Sequence, residues 1–283
     1  MRPIRTISVL PTLFTLGNLV CGFFAIVVAS RVAAPHPADA DSPLQMLFIT
    51  LVTENTRNCA LSACLIFLAM VFDALDGYVA RLSHTASDFG AQLDSLCDLV
   101  TFGVAPGFLL VKMCPQFAYL HRQAVWVIAA SFAACAALRL ARFNVETSDD
   151  DEHLNFTGLP SPAGAAAIAS FAIMFYTLRS KEDNLLAFAA QIDLTLQRIL
   201  PFFAVLVALL MVSRIPYPHV VNQVFRGQRS FGHVVAVLFA LVAVMVIPTY
   251  SIPIIFCVFV FYGPVRFCWE KVVQRRHQEA PLF

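Results

Sequence analysis

The chain has 283 residues, of which 59% are hydrophobic and only 13% are charged, and its mean hydropathy is +0.75. This composition excludes an ordinary water-soluble domain and indicates a membrane protein with several spanning segments. The formal net charge of +1 gives no sign of a nucleic-acid partner.

Hydropathy along the chain predicts eight membrane-spanning helices, because apolar runs of this kind cross a bilayer as helices. The predicted spans cover about residues 9–31, 59–81, 88–113, 122–144, 163–178, 199–213, 232–247 and 252–269. Residues 44–52 are apolar but too short to span, and we expect them at the membrane interface. Pro106 is expected to kink the third span. The predicted fold is an all-α polytopic helix bundle, with residues 1–283 forming one integral membrane domain.

Basic residues are distributed unevenly between the two sides of this predicted bundle. Eight spans place both termini on one side, and that side carries twelve of the 19 Lys and Arg residues. Cytoplasmic loops of membrane proteins are enriched in these residues. The prediction therefore places both termini, and the end of the bundle that contains the motif below, in the cytoplasm.

Four aspartates lie at the ends of the second and third predicted spans. Asp73 and Asp76 are three residues apart and share one helix face, and Asp94 and Asp98, four apart, share a face of the next helix. Two facing helices would gather four carboxylates, which need protons or cations in apolar surroundings. Hard divalent ions such as Mg²⁺ or Mn²⁺ prefer oxygen ligands. The sequence therefore predicts a two-metal site with space for a phosphate-bearing substrate.

Small residues accompany the aspartates on the same helix faces. Gly77, Ala80 and Gly90 leave room for a bulky ligand or for a closely approaching backbone. Arg81 stands at the edge of the expected cluster, and its guanidinium is suited to a phosphate group. These residues extend the predicted metal site towards a nucleotide pocket.

The complete pattern over residues 73–98 reads D-x2-D-G-x2-A-R-x8-G-x3-D-x3-D. It resembles the signature of the CDP-alcohol phosphotransferases, which are integral membrane enzymes of phospholipid synthesis. Residues 11–22, 89–106, 141–144 and 158–162 resemble segments of the phosphatidylserine synthases within that family. The resemblance covers about the first 165 residues.

The resemblance implies a fold, a reaction and an assembly. The fold is a catalytic core of six helices at about residues 1–213, to which this chain adds two helices at about residues 232–269. The reaction transfers a phosphatidyl group from CDP-diacylglycerol to the hydroxyl of L-serine, which gives phosphatidylserine and CMP. A homodimer is usual for the family. An inner or cytoplasmic membrane location follows from the orientation above.

The resemblance also implies roles for the aspartates. Asp73, Asp76 and Asp94 would bind one divalent ion, and Asp73, Asp94 and Asp98 would bind the other. Asp98 would also accept the proton of the serine hydroxyl as general base. The ions would be Mg²⁺ or Mn²⁺.

The nucleotide would lie against the small residues of the motif. Gly77 and Gly90 would admit it, and Arg81 would bind a phosphate group. Thr15 and Asn18, on the polar stripe of the first span, are further candidates for this pocket; the alternative is that they serve helix packing.

The acceptor site is predicted at the end of the fourth span. Arg142 would take the carboxylate of serine, with Asn144 and Ser161 forming hydrogen bonds nearby. The alternative is that Arg139 and Arg142 are cytoplasmic anchors at a helix end.

Other functions remain open at this stage. A sister enzyme that uses glycerol phosphate, inositol phosphate or another alcohol would keep the same metal motif. An ion-coupled transporter would also place buried carboxylates in the membrane, although the motif lies at the ends of its spans. A non-catalytic relative is the third alternative.

Overall fold

The computed structural model describes residues 9–32, 54–83, 88–146, 158–180, 186–217 and 231–278. Over these ranges the chain is almost entirely helical, so the all-α prediction is confirmed. The helices are α1 (Val9–Ser30), α2 (Glu54–Ser83), α3 (Asp88–Asp98), α4 (Ala105–Met113), α5 (Pro115–Leu120), α6 (Arg122–Glu146), α7 (Ser161–Ser180), α8 (Leu186–Val212), α9 (Phe231–Val246) and α10 (Pro248–Gln278). The predicted interfacial segment, residues 44–52, lies outside the described residues.

Seven segments of the described residues are long and apolar enough to cross a membrane, where the sequence predicted eight. They lie in α1, α2, α3 continued by α4, α6, α7, α8 and α10. The difference is α9, whose 16 residues reach only about 24 Å at the helical rise of about 1.5 Å per residue. The finding makes the protein a polytopic all-α membrane bundle.

The chain nevertheless passes from one end of the bundle to the other between α8 and α10. The end of α8 lies beside the start of α7, because the Leu159 N–H donates to the Leu210 carbonyl at 3.0 Å. The start of α10 lies beside the end of α7, where the hydroxyls of Thr177 and Thr249 are 3.1 Å apart. Helix α9 is the described part of this crossing.

Helix α7 runs through the middle of the bundle and α10 lies at its edge. Of the apolar stretch in α7, 72% is buried, against 17% of the stretch in α10. Ala165, Ala167, Ala169 and Ala172 of α7 are fully buried. Small side chains let neighbouring membrane helices approach closely, which places the start of α7 at the centre of one end of the bundle.

A π-helical turn, Leu99–Val104, joins α3 to α4 immediately after Asp98. Its wider winding is seen in the Ala105 N–H, which bonds to the carbonyl of Val100 five residues back. Pro106, expected to kink this span, follows in the first turn of α4. Proline has no N–H and clashes with the preceding turn of a regular helix, and π turns of this kind are frequent at functional sites.

A buried ion pair joins α7 to α8 at the other end of the bundle. Arg179 Nη2 lies 2.9 Å from Asp193 Oδ1, and both side chains are almost fully buried. Gln197 Nε2 donates a further hydrogen bond of 2.8 Å to Asp193 Oδ2. Removing one partner of such a pair costs about 3–5 kcal/mol because the other charge stays buried. The pair therefore fixes α7, whose opposite end contributes to the site described next.

Candidate active site

Three aspartates from two helices come together at one end of the bundle. Asp73 and Asp76 of α2 and Asp94 of α3 each offer a carboxylate oxygen, and these oxygens lie within 4.8 Å of one another. Asp76 is buried and the other two are half-buried. The helical spacing of the motif thus produces one compact anionic cluster between α2 and α3.

Asp98 lies one turn further along α3 and is held by a helix that the motif does not include. It is buried, and its Oδ1 accepts a hydrogen bond of 2.9 Å from Nδ2 of Asn18 in α1. Asn18 is itself completely buried. Asp98 is therefore oriented by Asn18 and is not one of the three carboxylates that share the 4.8 Å cluster.

Thr15 holds a second aspartate one turn earlier on α1. Its hydroxyl lies 2.8 Å from Asp76 Oδ2 and 3.1 Å from the carbonyl of Pro11. Both residues that the sequence offered as nucleotide candidates on α1 thus contact an aspartate. Whether these two residues also line a nucleotide pocket stays a prediction.

The close approach of α1 to the π turn makes these contacts geometrically feasible. Thr101 of the turn donates a hydrogen bond of 3.2 Å to the backbone carbonyl of Asn18. One turn further along α1, a Cβ at Gly22 would lie only 2.9 Å from the Cα of Thr101. Only glycine tolerates so short a distance, so Gly22 permits the contact between α1 and the helix of Asp98.

The residues of this cluster fit a divalent cation. Among the described residues, Asp94 Oδ1 is a buried carboxylate oxygen without a hydrogen-bond partner. Buried oxygens of this kind are rare in proteins unless a ligand or ion satisfies them. Three mutually repelling carboxylates within 4.8 Å also need either protons or a compensating positive charge. Oxygen donors are the ligands that Mg²⁺ and Mn²⁺ prefer.

Space is present where the sequence predicted a nucleotide. A Cβ built at Gly77 would meet no heavy atom within 4 Å, so the region beside Asp76 is open. Gly90 is half-buried and lies one turn before Asp94 on α3. Arg81 belongs to α2, but its side chain lies outside the described residues, so its contact with phosphate stays a prediction.

Arg139 reaches this site from α6, although sequence reasoning gave more weight to Arg142. Its Nη1 donates a hydrogen bond of 2.6 Å to Oγ of Ser161, the first residue of α7. Its guanidinium also interacts electrostatically with Asp73 and Asp98. The sequence did contain a sign of this role. Arg139 lies one helical turn before Arg142 and therefore deeper in the bundle.

The three predicted acceptor residues lie at the same end of the bundle but have different surroundings. Ser161 is paired with Arg139. Asn144 Nδ2 donates 3.0 Å to Oγ of Ser95, the residue after Asp94, and so fastens the end of α6 to α3. Arg142 is half-buried on the last turns of α6. The structure thus brings α3, α6 and α7 together around the aspartates.

Comparisons with known proteins show the family of this chain. The sequence model of the family described as CDP-alcohol phosphatidyltransferase matches residues 8–212. The CDP-diacylglycerol--serine O-phosphatidyltransferase of Methanocaldococcus jannaschii is 37% identical over 183 residues, which cover 63% of this chain and 75% of that protein. The protein of the same name from Helicobacter pylori is 28% identical over 280 residues, covering 98% and 100%. The archaetidylserine synthase of Methanothermobacter thermautotrophicus is 35% identical over 177 residues, covering 62% and 64%. With a family match over well more than half of its length and an aspartate cluster at the matching motif, the chain belongs to the CDP-alcohol phosphatidyltransferase family.

Proposed function

We propose that the protein transfers a phosphatidyl group from CDP-diacylglycerol to the hydroxyl of L-serine, forming phosphatidylserine and CMP. The main observation that supports this proposal is the cluster of Asp73, Asp76 and Asp94, which lies inside the family match. Relatives that align with up to 98% of the chain are named for this activity. Family membership also favours an enzyme over the ion-coupled transporter considered above.

The proposal includes two divalent ions, Mg²⁺ or Mn²⁺, held by four aspartates. Asp73, Asp76 and Asp94 would hold one, and Asp73, Asp94 and Asp98 the other. When bound, such ions polarise a pyrophosphate and stabilise the charge on a leaving phosphate. Asp94 Oδ1, which has no hydrogen-bond partner among the described residues, supports this assignment.

The reaction is a displacement at the phosphorus that carries the diacylglycerol. The serine oxygen forms a new bond to this phosphorus, the bond to the CMP oxygen breaks, and the serine hydroxyl loses its proton. Asp98 is the proposed acceptor of that proton. Because Asn18 occupies Asp98 Oδ1, the other oxygen is the one that would take it.

The substrate groups are assigned to the residues around the aspartates. Gly77 and Gly90 would admit the nucleotide, supported by the open space at Gly77. Arg81 would bind a phosphate group. The alcohol is proposed to lie between α6 and α7, where the sequence offers Arg142, Asn144 and Ser161. A sister enzyme that uses another alcohol would share the metal site and would differ in the residues between α6 and α7.

We expect purified protein with Mg²⁺ or Mn²⁺ to release CMP from CDP-diacylglycerol only when serine is added. A chelator should abolish this release and excess metal should restore it, because the proposed ions polarise the pyrophosphate and stabilise the charge on the leaving CMP. CMP is measured by chromatography, with glycerol phosphate and inositol phosphate as alternative acceptors. Release with one of these and not with serine would contradict the proposed acceptor, and full activity in chelator would contradict the proposed ions.

We also propose that the protein lies in the cytoplasmic membrane, with the active site and both termini facing the cytoplasm. The excess of Lys and Arg on the side of the motif supports this orientation. In an otherwise cysteine-free variant, Val145→Cys at the active-site end and Leu120→Cys at the other end offer exposed labelling positions. A membrane-impermeant maleimide should label intact cells at position 120 and should label position 145 only after lysis. The reverse pattern would overturn the orientation.

The proposed domain organisation is a core of about residues 1–213 within a single domain, with additional helices at about residues 232–269. The family match, which stops at residue 212, supports this division. The homodimer implied by the resemblance stays a prediction, which the mass of the purified protein in detergent would test.

A further inference from the structure

Arg139 of α6 is hydrogen-bonded to the first residue of α7. Its Nη1 donates to Ser161 Oγ at 2.6 Å, and Ser161 is completely buried. Asp73 and Asp98 lie within the range at which their charges influence this guanidinium. A buried hydroxyl at the start of a central helix is a rigid support, so it fixes the direction in which this arginine points.

The charge balance of the site changes when ions bind. In the substrate-free, ion-free protein, Arg139 offsets part of the negative charge of the aspartates. Two divalent ions supply as much positive charge as four carboxylates carry, so the charge of Arg139 is then no longer needed by Asp73 and Asp98. A positive group within a membrane bundle is costly unless it is paired. With the ions bound, the guanidinium of Arg139 is therefore available to an anionic group of a substrate.

The donors of Arg139 suit a carboxylate. A guanidinium carries five N–H donors in a fixed fork, and Ser161 takes one of them. Two others can bind both oxygens of a carboxylate, a contact that lysine cannot copy. Arg142 lies three residues further along α6, about 4.5 Å along the helix axis towards its end, and hence further from the level of Ser161.

We propose that Arg139, supported by Ser161, recognises the carboxylate of the acceptor alcohol and so determines specificity for an amino acid over a simple amino alcohol. This inference rests on the proposed function. It assigns the carboxylate to a residue one turn deeper than Arg142 and gives Ser161 a positioning role. It also couples acceptor binding to ion binding, because Arg139 would interact both with the aspartates that hold the ions and with the acceptor carboxylate.

The test compares Arg139→Lys, Arg142→Lys and the control Arg122→Lys, which changes an exposed residue at the other end of α6. Loss of the forked contact in Arg139→Lys should raise the KM for serine about 10- to 100-fold. The KM for CDP-diacylglycerol and the kcat at saturating serine should stay close to those of the parent protein. Ethanolamine, which lacks the carboxylate, should be a poor acceptor for the parent protein and be little affected by the change.

A second readout does not depend on turnover. Arg139→Gln removes a positive charge beside Asp73 and Asp98, so Mn²⁺ should bind the substrate-free protein more tightly, as followed by calorimetry. The melting temperature of each variant shows whether it folds. If Arg139→Gln is unstable, Arg139→Lys, which keeps the positive charge, still tests the proposal through the serine KM.

The outcomes separate this inference from the proposed function. Serine-dependent CMP release by the parent protein tests the function alone. If that release is present and Arg142→Lys raises the serine KM more than Arg139→Lys, the carboxylate belongs to Arg142 and the inference is overturned. It is also overturned if Arg139→Lys weakens CDP-diacylglycerol binding or lowers kcat while leaving the serine KM unchanged.

Discussion

Asp94→Asn is expected to lower kcat by at least the roughly 100- to 1,000-fold that follows removal of one preorganised electrostatic group from an active site. Asp94 is the central member of the cluster, because it is proposed to bind both ions and its Oδ1 is buried without a partner among the described residues. An amide has the same shape as a carboxylate, but it carries no charge and has only one oxygen to offer a cation. The loss should therefore appear in ion binding as well as in turnover.

The measurement pairs CMP release with Mn²⁺ binding to the substrate-free protein. Glu270→Gln is the matched control, since it also converts a carboxylate to an amide, on an exposed residue of α10 that is paired with Arg266. The control should retain parental turnover and Mn²⁺ affinity. An Asp94→Asn variant with parental Mn²⁺ affinity would remove Asp94 from the ion site, whatever its rate.

The part of this site that depends on helical spacing was predictable from the sequence. Helical periodicity fixes which side chains share a face, so the spacing of the four aspartates predicted one cluster. The structure brings three of them, Asp73, Asp76 and Asp94, within 4.8 Å of one another. The all-α bundle followed from composition in the same way. In both cases, the pattern within single helical segments determines much of the outcome.

The partners of the aspartates were not predictable, because they depend on how distant helices pack. Asn18 reaches Asp98 across 80 positions of sequence, and Thr15 reaches Asp76 across 61. The sequence marked both α1 residues as polar positions in an apolar span but could not tell a contact with nucleotide from a contact with carboxylate. The pairing of Arg139 with Ser161 was hidden for the same reason.

Irregular backbone was the other feature that sequence alone described incompletely. Pro106 predicted a disturbance in the third span, and the structure has a π turn over the six residues preceding α4. A proline signals that a regular helix is costly at its position, but it does not specify which irregular form replaces it. Here the form matters, since the turn begins directly after Asp98 and carries Thr101, which bonds to the backbone of Asn18.

Asp98→Asn is expected to lower kcat by about 100- to 10,000-fold, the usual contribution of a general base, with a much smaller effect on CDP-diacylglycerol binding. An amide cannot accept the serine proton, whereas the shape of the side chain is kept. Its contact with Asn18 can also be kept, because the amide oxygen still accepts from Nδ2. The KM for CDP-diacylglycerol should therefore change much less than kcat, and the melting temperature should stay near that of the parent protein.

Asn18 provides the companion variant for this prediction, because it touches Asp98 and acts through it. Asn18→Ala removes the hydrogen bond to Asp98 Oδ1 and leaves the base in place, so kcat should fall about 10- to 100-fold, as for other supporting contacts of an active-site group. In a protein that already carries Asp98→Asn, adding Asn18→Ala should lower kcat little further. The double variant Asn18→Ala with Asp98→Asn should thus be about as slow as Asp98→Asn alone, which is non-additive behaviour typical of residues acting as one unit. Fully additive losses would show that Asn18 serves the reaction independently of Asp98, and a near-parental rate for Asp98→Asn would exclude this residue as the base.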